Sequence, residues 1–274
     1  MTAAQPARTH LIAVILATVA ALIGRAWLQV NLLASGVQKV YAADLSYLIV
    51  PPILFVLLLP VMRRHKSLIC DLLSPRRLTV RLVLDAMAIG VLLRLSAWCQ
   101  LIAGISFGFY KNGDPDAVIG PVFSFNCSAP QVVLLGIAVM VVMVPLIEEL
   151  IHRGLIQTWL AGRGPIVAIA LSSLFFMLVH KQSAWGFAFL AGLVFGFQFW
   201  RARTIWFSVI THATVNGLIQ IDWRCIHGQW NPQASQVPVW GAGIMSILVL
   251  LLAGFALMRL LFAKTAGAQS APRP

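Results

Sequence analysis

The chain has 274 residues, of which 60% are hydrophobic and only 10% are charged. An ordinary soluble domain carries about 25% charged residues, so this composition excludes a soluble globular protein and a disordered one. The net charge of +12 does not indicate nucleic acid. The basic residues fall in short stretches between apolar runs, as topology signals do, and no Lys/Arg stripe alternates with aromatics. A lipid bilayer with anionic headgroups is the better partner.

Eight apolar runs follow in chain order, at 10–32, 44–62, 79–107, 131–160, 165–181, 184–200, 205–222 and 238–262. They are too long and too continuously apolar for barrel strands, so helix is the form expected. The fold class is all-α, a polytopic membrane bundle of about eight transmembrane helices. The first run has a weakly basic start (Arg8, His10) and small residues at Ala20 and Ala21, as a cleaved signal would. It is longer than a usual signal core of about 7–15 residues and is read as a retained helix. The fifth and sixth runs are nearly contiguous and predict a tight hairpin or a re-entrant piece.

With the N-terminus in the cytoplasm and strict alternation, most Lys and Arg fall inside, among them Arg8, Arg63, Arg64, Lys66, Arg76, Arg77, Arg81, Arg163, Arg201, Arg203, Arg259, Lys264 and Arg273. Lys39, Lys111, Lys181 and Arg224 fall outside. Both termini are therefore expected in the cytoplasm. Short tails and compact loops favour a bacterial inner (plasma) membrane. Cys127 and Cys225 both fall in outer loops. They are expected as free thiols, with a disulfide the alternative if that side is oxidising. No CxxC or Cys/His cluster suggests structural zinc. No internal repeat is visible, and the tail after Lys264 is expected to be disordered. The organisation expected is one membrane domain: 1–130 with three helices and an outer loop, a catalytic core at 131–222, and 223–274 with a loop, the last helix and a tail.

Ionisable residues inside apolar runs are costly and so are candidates for function. The first group is Pro145-Leu-Ile-Glu148-Glu149-Leu-Ile-His152-Arg153-Gly154. Glu149 and Arg153 stand at i, i+4 and can pair. This leaves Glu148, about 100° away around the helix, in a low-dielectric site suited to proton transfer; a helix end with solvated charges is the alternative. The second group is Phe175-Phe176-Met-Leu-Val-His180-Lys181, whose histidine by itself is more often a core or interface residue. The third is His212-Ala-Thr-Val-Asn216. Its two polar residues share a face and can donate hydrogen bonds to an oxyanion, or can hold helices together. At about 1.5 Å per residue, Glu148, His180, His212 and Asn216 reach depths compatible with convergence inside the membrane.

Together, Glu148-Glu149-x-x-x-Arg153, Phe176-x-x-x-His180 and His212-x-x-x-Asn216 resemble the three motifs of the CPBP intramembrane proteases, the CAAX-processing endopeptidases and the bacteriocin-processing or Abi proteins. The resemblance covers about 130–222. It implies a glutamate-dependent endopeptidase with an all-helical, eight-span architecture; no cofactor is expected, with zinc as the alternative. By position it implies Glu148 as the base that activates water, His180 as its partner in holding that water, and His212 and Asn216 as the oxyanion pair. Glu149 and Arg153 become supporting residues. His152 stands where many relatives carry an apolar or aromatic residue, and is expected either to perturb Glu148 or to face water.

Peptide hydrolysis needs a base, an oriented water and stabilisation of the tetrahedral oxyanion, and the three motifs supply these. A zinc-dependent variant would use Glu148, His180 and His212 as ligands, but no HExxH is present. A serine nucleophile is disfavoured because Ser172, Ser173 and Ser183 lie in no GxSxG and look like packing positions. A proton-coupled transporter and a non-catalytic membrane immunity or partner protein are the remaining classes. The expected substrate is a membrane protein or a lipid-linked peptide. Arg25 and Arg94 are intramembrane charges that these motifs leave unexplained, with lipid binding or a substrate entrance as the options.

Overall fold

The computed structural model describes residues 8–75, 78–107, 130–220 and 239–262. Cys127, Cys225, the tail after Lys264, and Arg76, Arg77, Lys111, Arg224 and Arg273 lie outside those residues. Among the described residues all regular structure is helical. The helices are α1 (Arg8–Ala34), α2 (Lys39–Arg64), α3 (Lys66–Leu72), α4 (Val80–Ser106), α5 (Pro130–Arg163), α6 (Pro165–Leu178), α7 (Trp185–Ala202), α8 (Trp206–Gln220) and α9 (Val239–Phe262).

Eight of these follow the eight apolar runs. The ninth, α3, falls between the second and third apolar runs, where no helix was expected. Its Ile69 and Leu72 are buried, which is what draws this basic segment into a helix against the bundle. Five helices, α1, α2, α4, α5 and α9, are long and apolar enough to cross a membrane. The chain is thus an integral membrane protein with several candidate spans. Helices α6, α7 and α8 are shorter, at 14, 18 and 15 residues. The fifth and sixth runs form the hairpin, with α6 packed along α7 and a 3₁₀ turn at Gln182–Ala184 between them.

The protein is apolar on its outside. Ile12, Leu16, Ile23, Trp27 and Val30 on α1, and Leu251, Leu252 and Phe255 on α9, are exposed. With lipid outside, burying such side chains gains little, and close approach of backbones holds the bundle instead. Gly90 on α4 shows this best. A Cβ there would lie 2.7 Å from Thr214 Cβ and 2.8 Å from the Thr211 carbonyl on α8.

Two apolar clusters fill the interior. One joins α1, α2, α3 and α5 through Val14, Leu54, Leu58, Leu72 and Ile151. The other joins α4, α6, α7, α8 and α9 through Ile89, Phe176, Phe195, Val215 and Leu257.

Segments that strict alternation assigns to one side of the membrane meet at one end of the bundle. Arg64 donates to His10 Nε2 at 3.1 Å, and the His65 ring packs edge-on against Trp159. Thr204 Oγ1 donates to the Leu72 carbonyl at 3.0 Å. Trp206 Nε1 donates to the Leu73 carbonyl at 3.0 Å, and Arg201 donates to the Leu261 carbonyl. The loop between α7 and α8 is therefore tied to the end of α3.

Candidate active site

The site is built on α5, which is not a uniform α-helix. Two π-helical stretches, Ile137–Met143 and Leu150–Gln157, flank a six-residue α segment, Val144–Glu149, that ends in the paired glutamates. Wide turns of this kind are frequent at functional sites, and here they set the direction in which Glu148, Glu149 and Arg153 leave the helix. They also present the Met140 carbonyl, which accepts a hydrogen bond from Asn216 Nδ2 of α8 at 2.8 Å.

Glu149 is fully buried. Its Oε2 accepts from Arg153 Nε at 3.1 Å, the pair expected from their spacing, and its Oε1 lies 3.1 Å from His212 Nδ1. Arg153 is also fully buried and donates through Nη1 to Ser172 Oγ at 2.5 Å, with its guanidinium over the Phe176 ring at 5.3 Å. The two buried charges thus offset each other, as a low-dielectric interior requires, while Arg153 Nη2 is left without a hydrogen-bond partner. Gln157 extends the polar chain by donating to the Gly196 carbonyl at 2.8 Å, so α5, α6, α7 and α8 are joined through side chains.

Glu148 differs from its neighbour. Its side chain is 24% exposed, its Oε2 has no hydrogen-bond partner, and that atom lies 4.0 Å from His212 Nε2. One carboxylate is fixed in a network while the other is held beside a histidine without a close partner. Because a carboxylate accepts, the Glu149 contact places a proton on His212 Nδ1 and turns Nε2 toward Glu148.

His180 lies just past the end of α6, at the start of the turn to α7. Its Nδ1 donates to the Phe176 carbonyl at 2.7 Å, and its ring lies 4.5 Å from that of Phe176. Nδ1 is therefore committed as a donor, and Nε2 of the neutral ring is left to accept. His152 corrects one of the alternatives set for it. It does not face bulk water: it is 2% exposed, donates through Nδ1 to the Glu148 carbonyl at 2.8 Å and packs edge-on against Phe176.

Glu148, His180, His212 and Asn216 all line one cavity of about 790 Å³ at the junction of the two apolar clusters. Glu149 and Arg153 stand behind its wall. The volume lies within the range of small-molecule and peptide sites. Among the described residues no group of three His, Cys, Asp or Glu is arranged to hold a metal ion, so Glu148, His180 and His212 are not a preformed zinc set. Ser173 is the packing residue expected, seated where a Cβ on Gly192 would come within 3.0 Å. Ser172 does more than pack, because it accepts the Arg153 bond.

Sequence reasoning missed Gln157 and Tyr47, which lines the same cavity, and it read Ser172 as a packing position only. Gln157 carried a signal, as an amide within an apolar run. Tyr47, on a distant helix, carried none. Arg25 and Arg94, unexplained in sequence, prove to line the same cavity.

Residues 130–218 match the family described as type II CAAX prenyl endopeptidase, Rce1-like. Comparison with curated proteins and with solved structures found no match.

Proposed function

Because the chain carries an Rce1-like type II CAAX prenyl endopeptidase domain of the CPBP family, a family of intramembrane protease hydrolases, we propose that it cleaves a peptide bond near the C-terminus of a membrane-associated or lipid-linked protein, using water activated by Glu148. The observation that carries this reading is the contrast between the two glutamates. Glu149 is saturated by Arg153 and His212, whereas Glu148 enters the shared cavity with Oε2 unpartnered.

In this reading Glu148 takes a proton from water as the water oxygen attacks the scissile carbonyl. His180 Nε2 accepts the second water hydrogen and aims the lone pair. The developing oxyanion is held by the Asn216 N–H not spent on Met140 and by His212 Nε2 when that nitrogen carries a proton. The C–N bond then breaks, and the proton held by Glu148 passes to the leaving amine. Glu149 and Arg153 fix the His212 ring and the course of α5. No metal takes part in these steps.

The catalytic core is assigned to 131–222, with the remaining helices completing one membrane domain. All the helices but α3 cross the membrane, the shorter α6, α7 and α8 among them, and the basic end of the bundle, where His10, Arg64 and the α7–α8 loop meet, faces the cytoplasm. The membrane is a bacterial inner membrane.

The test compares purified wild type with Glu148→Gln on membrane proteome from a strain lacking the gene, reading new peptide termini by mass spectrometry. Termini made by wild type alone support the reading. A transporter or a non-catalytic partner predicts identical profiles.

A further inference from the structure

A second hollow lies on the outer side of the bundle, apart from the catalytic cavity. Leu11 and Ile15 of α1, Ile156 and Leu160 of α5, and Leu171 and Leu174 of α6 line a groove of about 230 Å³, and only Leu, Ile and Phe side chains form its walls. Leu171 and Leu174 are exposed, so the groove is open sideways to lipid. Phe175 lines the groove and packs 5.6 Å from the ring of His152, which lines the cavity, so one layer of side chains divides the two hollows.

The mouth of the groove is basic. His10 immediately precedes Leu11, and Trp159 immediately precedes Leu160. The His65 ring stands between them, its centroid 5.5 Å from that of His10 and 6.4 Å from that of Trp159. Arg64 is held at this point by its 3.1 Å bond to His10 Nε2. Arg163 follows Trp159 by four residues, at the end of α5. Both arginines are exposed, and among the described residues neither takes part in an ion pair.

An apolar slot is thus set directly beneath fixed cations. A guanidinium that spends one N–H on a neutral histidine keeps its charge and its other N–H groups, and its fork suits phosphate oxygens. An alkyl chain by itself would fill the slot and leave the cations unmet. A free phosphate would meet the cations and leave the slot empty. An anionic amphiphile satisfies both. We propose that the corner where α1, α2, α5 and α6 meet binds one anionic phospholipid, its phosphate at Arg64 and Arg163 and an acyl chain in the groove. The cations select the headgroup, and the groove fixes the position of the chain. The site stands outside the cavity, so the proposal does not depend on the protease reading.

The test is lipid binding to the full chain, purified in neutral detergent and titrated with phosphatidylglycerol or with phosphatidylcholine of the same acyl chains. Native mass spectrometry reads the affinity for the first lipid bound. Phosphatidylglycerol is expected to bind wild type about 5- to 30-fold more tightly, the contribution of one or two surface cations toward an anionic headgroup. Arg64→Gln should cut that preference about 5-fold, and Arg163→Gln gives an independent reduction if the first variant does not fold. Leu171→Trp, which fills the groove, should weaken binding of both lipids. Ile23→Trp, at an exposed α1 position that lines neither hollow, should weaken neither. Equal affinity for the two lipids, a preference unchanged in both arginine variants, or binding unaffected by Leu171→Trp overturns the proposal. Three further outcomes also overturn it. Displacement of phosphatidylglycerol by inorganic phosphate at equal concentration assigns the arginines to a free anion. Displacement by a neutral S-farnesylated peptide at equal concentration assigns the groove to a substrate's lipid. A lipid-free dimer in place of the lipid-bound monomer assigns the face to a second copy of the chain.

Discussion

His212 places Nδ1 3.1 Å from Oε1 of Glu149, and the other nitrogen of the same ring, Nε2, lies 4.0 Å from Oε2 of Glu148. One imidazole thus separates two adjacent carboxylates into different roles. The closer contact, together with Arg153, holds Glu149 in a fully buried network, and the longer one leaves Glu148 available to the cavity.

This separation makes the two glutamates distinguishable by experiment. Glu148→Gln should lower cleavage by about 10²–10⁴, the usual contribution of a general base, with the melting temperature in detergent unchanged. Glu149→Ala strands the buried Arg153 charge and should cost about 3–5 kcal/mol, read as a large fall in melting temperature. Equal thermal effects of the two substitutions would contradict the division of roles.

Asn216 both ties α8 to the π-helical stretch of α5 through Met140 and offers its other N–H to the cavity. Asn216→Ala should reduce kcat by about 10²–10³, the usual loss for one oxyanion donor. KM should stay nearly constant, because the oxyanion exists only on the reaction path. A rise in KM with kcat preserved would assign Asn216 to substrate binding instead.

The α4–α8 contact depends on a missing side chain. Gly90→Ala would bring Cβ to 2.7 Å from Thr214 Cβ and 2.8 Å from the Thr211 carbonyl. Overpacking of this kind should cost about 1–3 kcal/mol. Gly24→Ala on α1 meets nothing within 4 Å and should be neutral or mildly stabilising, since alanine is the better helix former. Thermal unfolding of the pair in the same detergent checks the contrast.

At the basic end of the bundle, Arg64 donates to His10 Nε2, which leaves His10 Nδ1 to donate to His65 Nε2 at 3.4 Å. His65 must stay neutral to accept. Burial, followed by the neighbouring His10 and Arg64, holds it below the ordinary histidine value of 6.5. The unfolded chain therefore binds a proton at higher pH than the folded one. The stability contributed by neutral His65 is complete above about pH 6.5 and is lost as pH falls through the lower folded value. The melting temperature should fall on acidification below that point, and His65→Asn should flatten the fall. A pH profile identical to wild type would remove His65 as its source.

The sequence by itself determined the solvent, the helical class and the motif residues. Composition decides whether a chain can bury itself in water, and a run such as 10–32 satisfies its own backbone in lipid without help from neighbours. The six polar motif residues stood out because ionisable and amide groups in apolar runs are costly wherever they sit. Local rules also carried the Glu149–Arg153 pair, since both residues lie on one helix a turn apart. Which glutamate faces the cavity was another matter. Two π-helical stretches alter the angular spacing along α5, and His212, 63 residues onward, chooses between the carboxylates. Arg25 and Arg94 were visible as anomalies, but their sharing of one cavity with Glu148 follows from how α1, α4 and α5 pack. Partnership across helices is a property of three-dimensional distance, and in lipid it is set by close backbone approach at residues such as Gly90, which no spacing along the chain encodes.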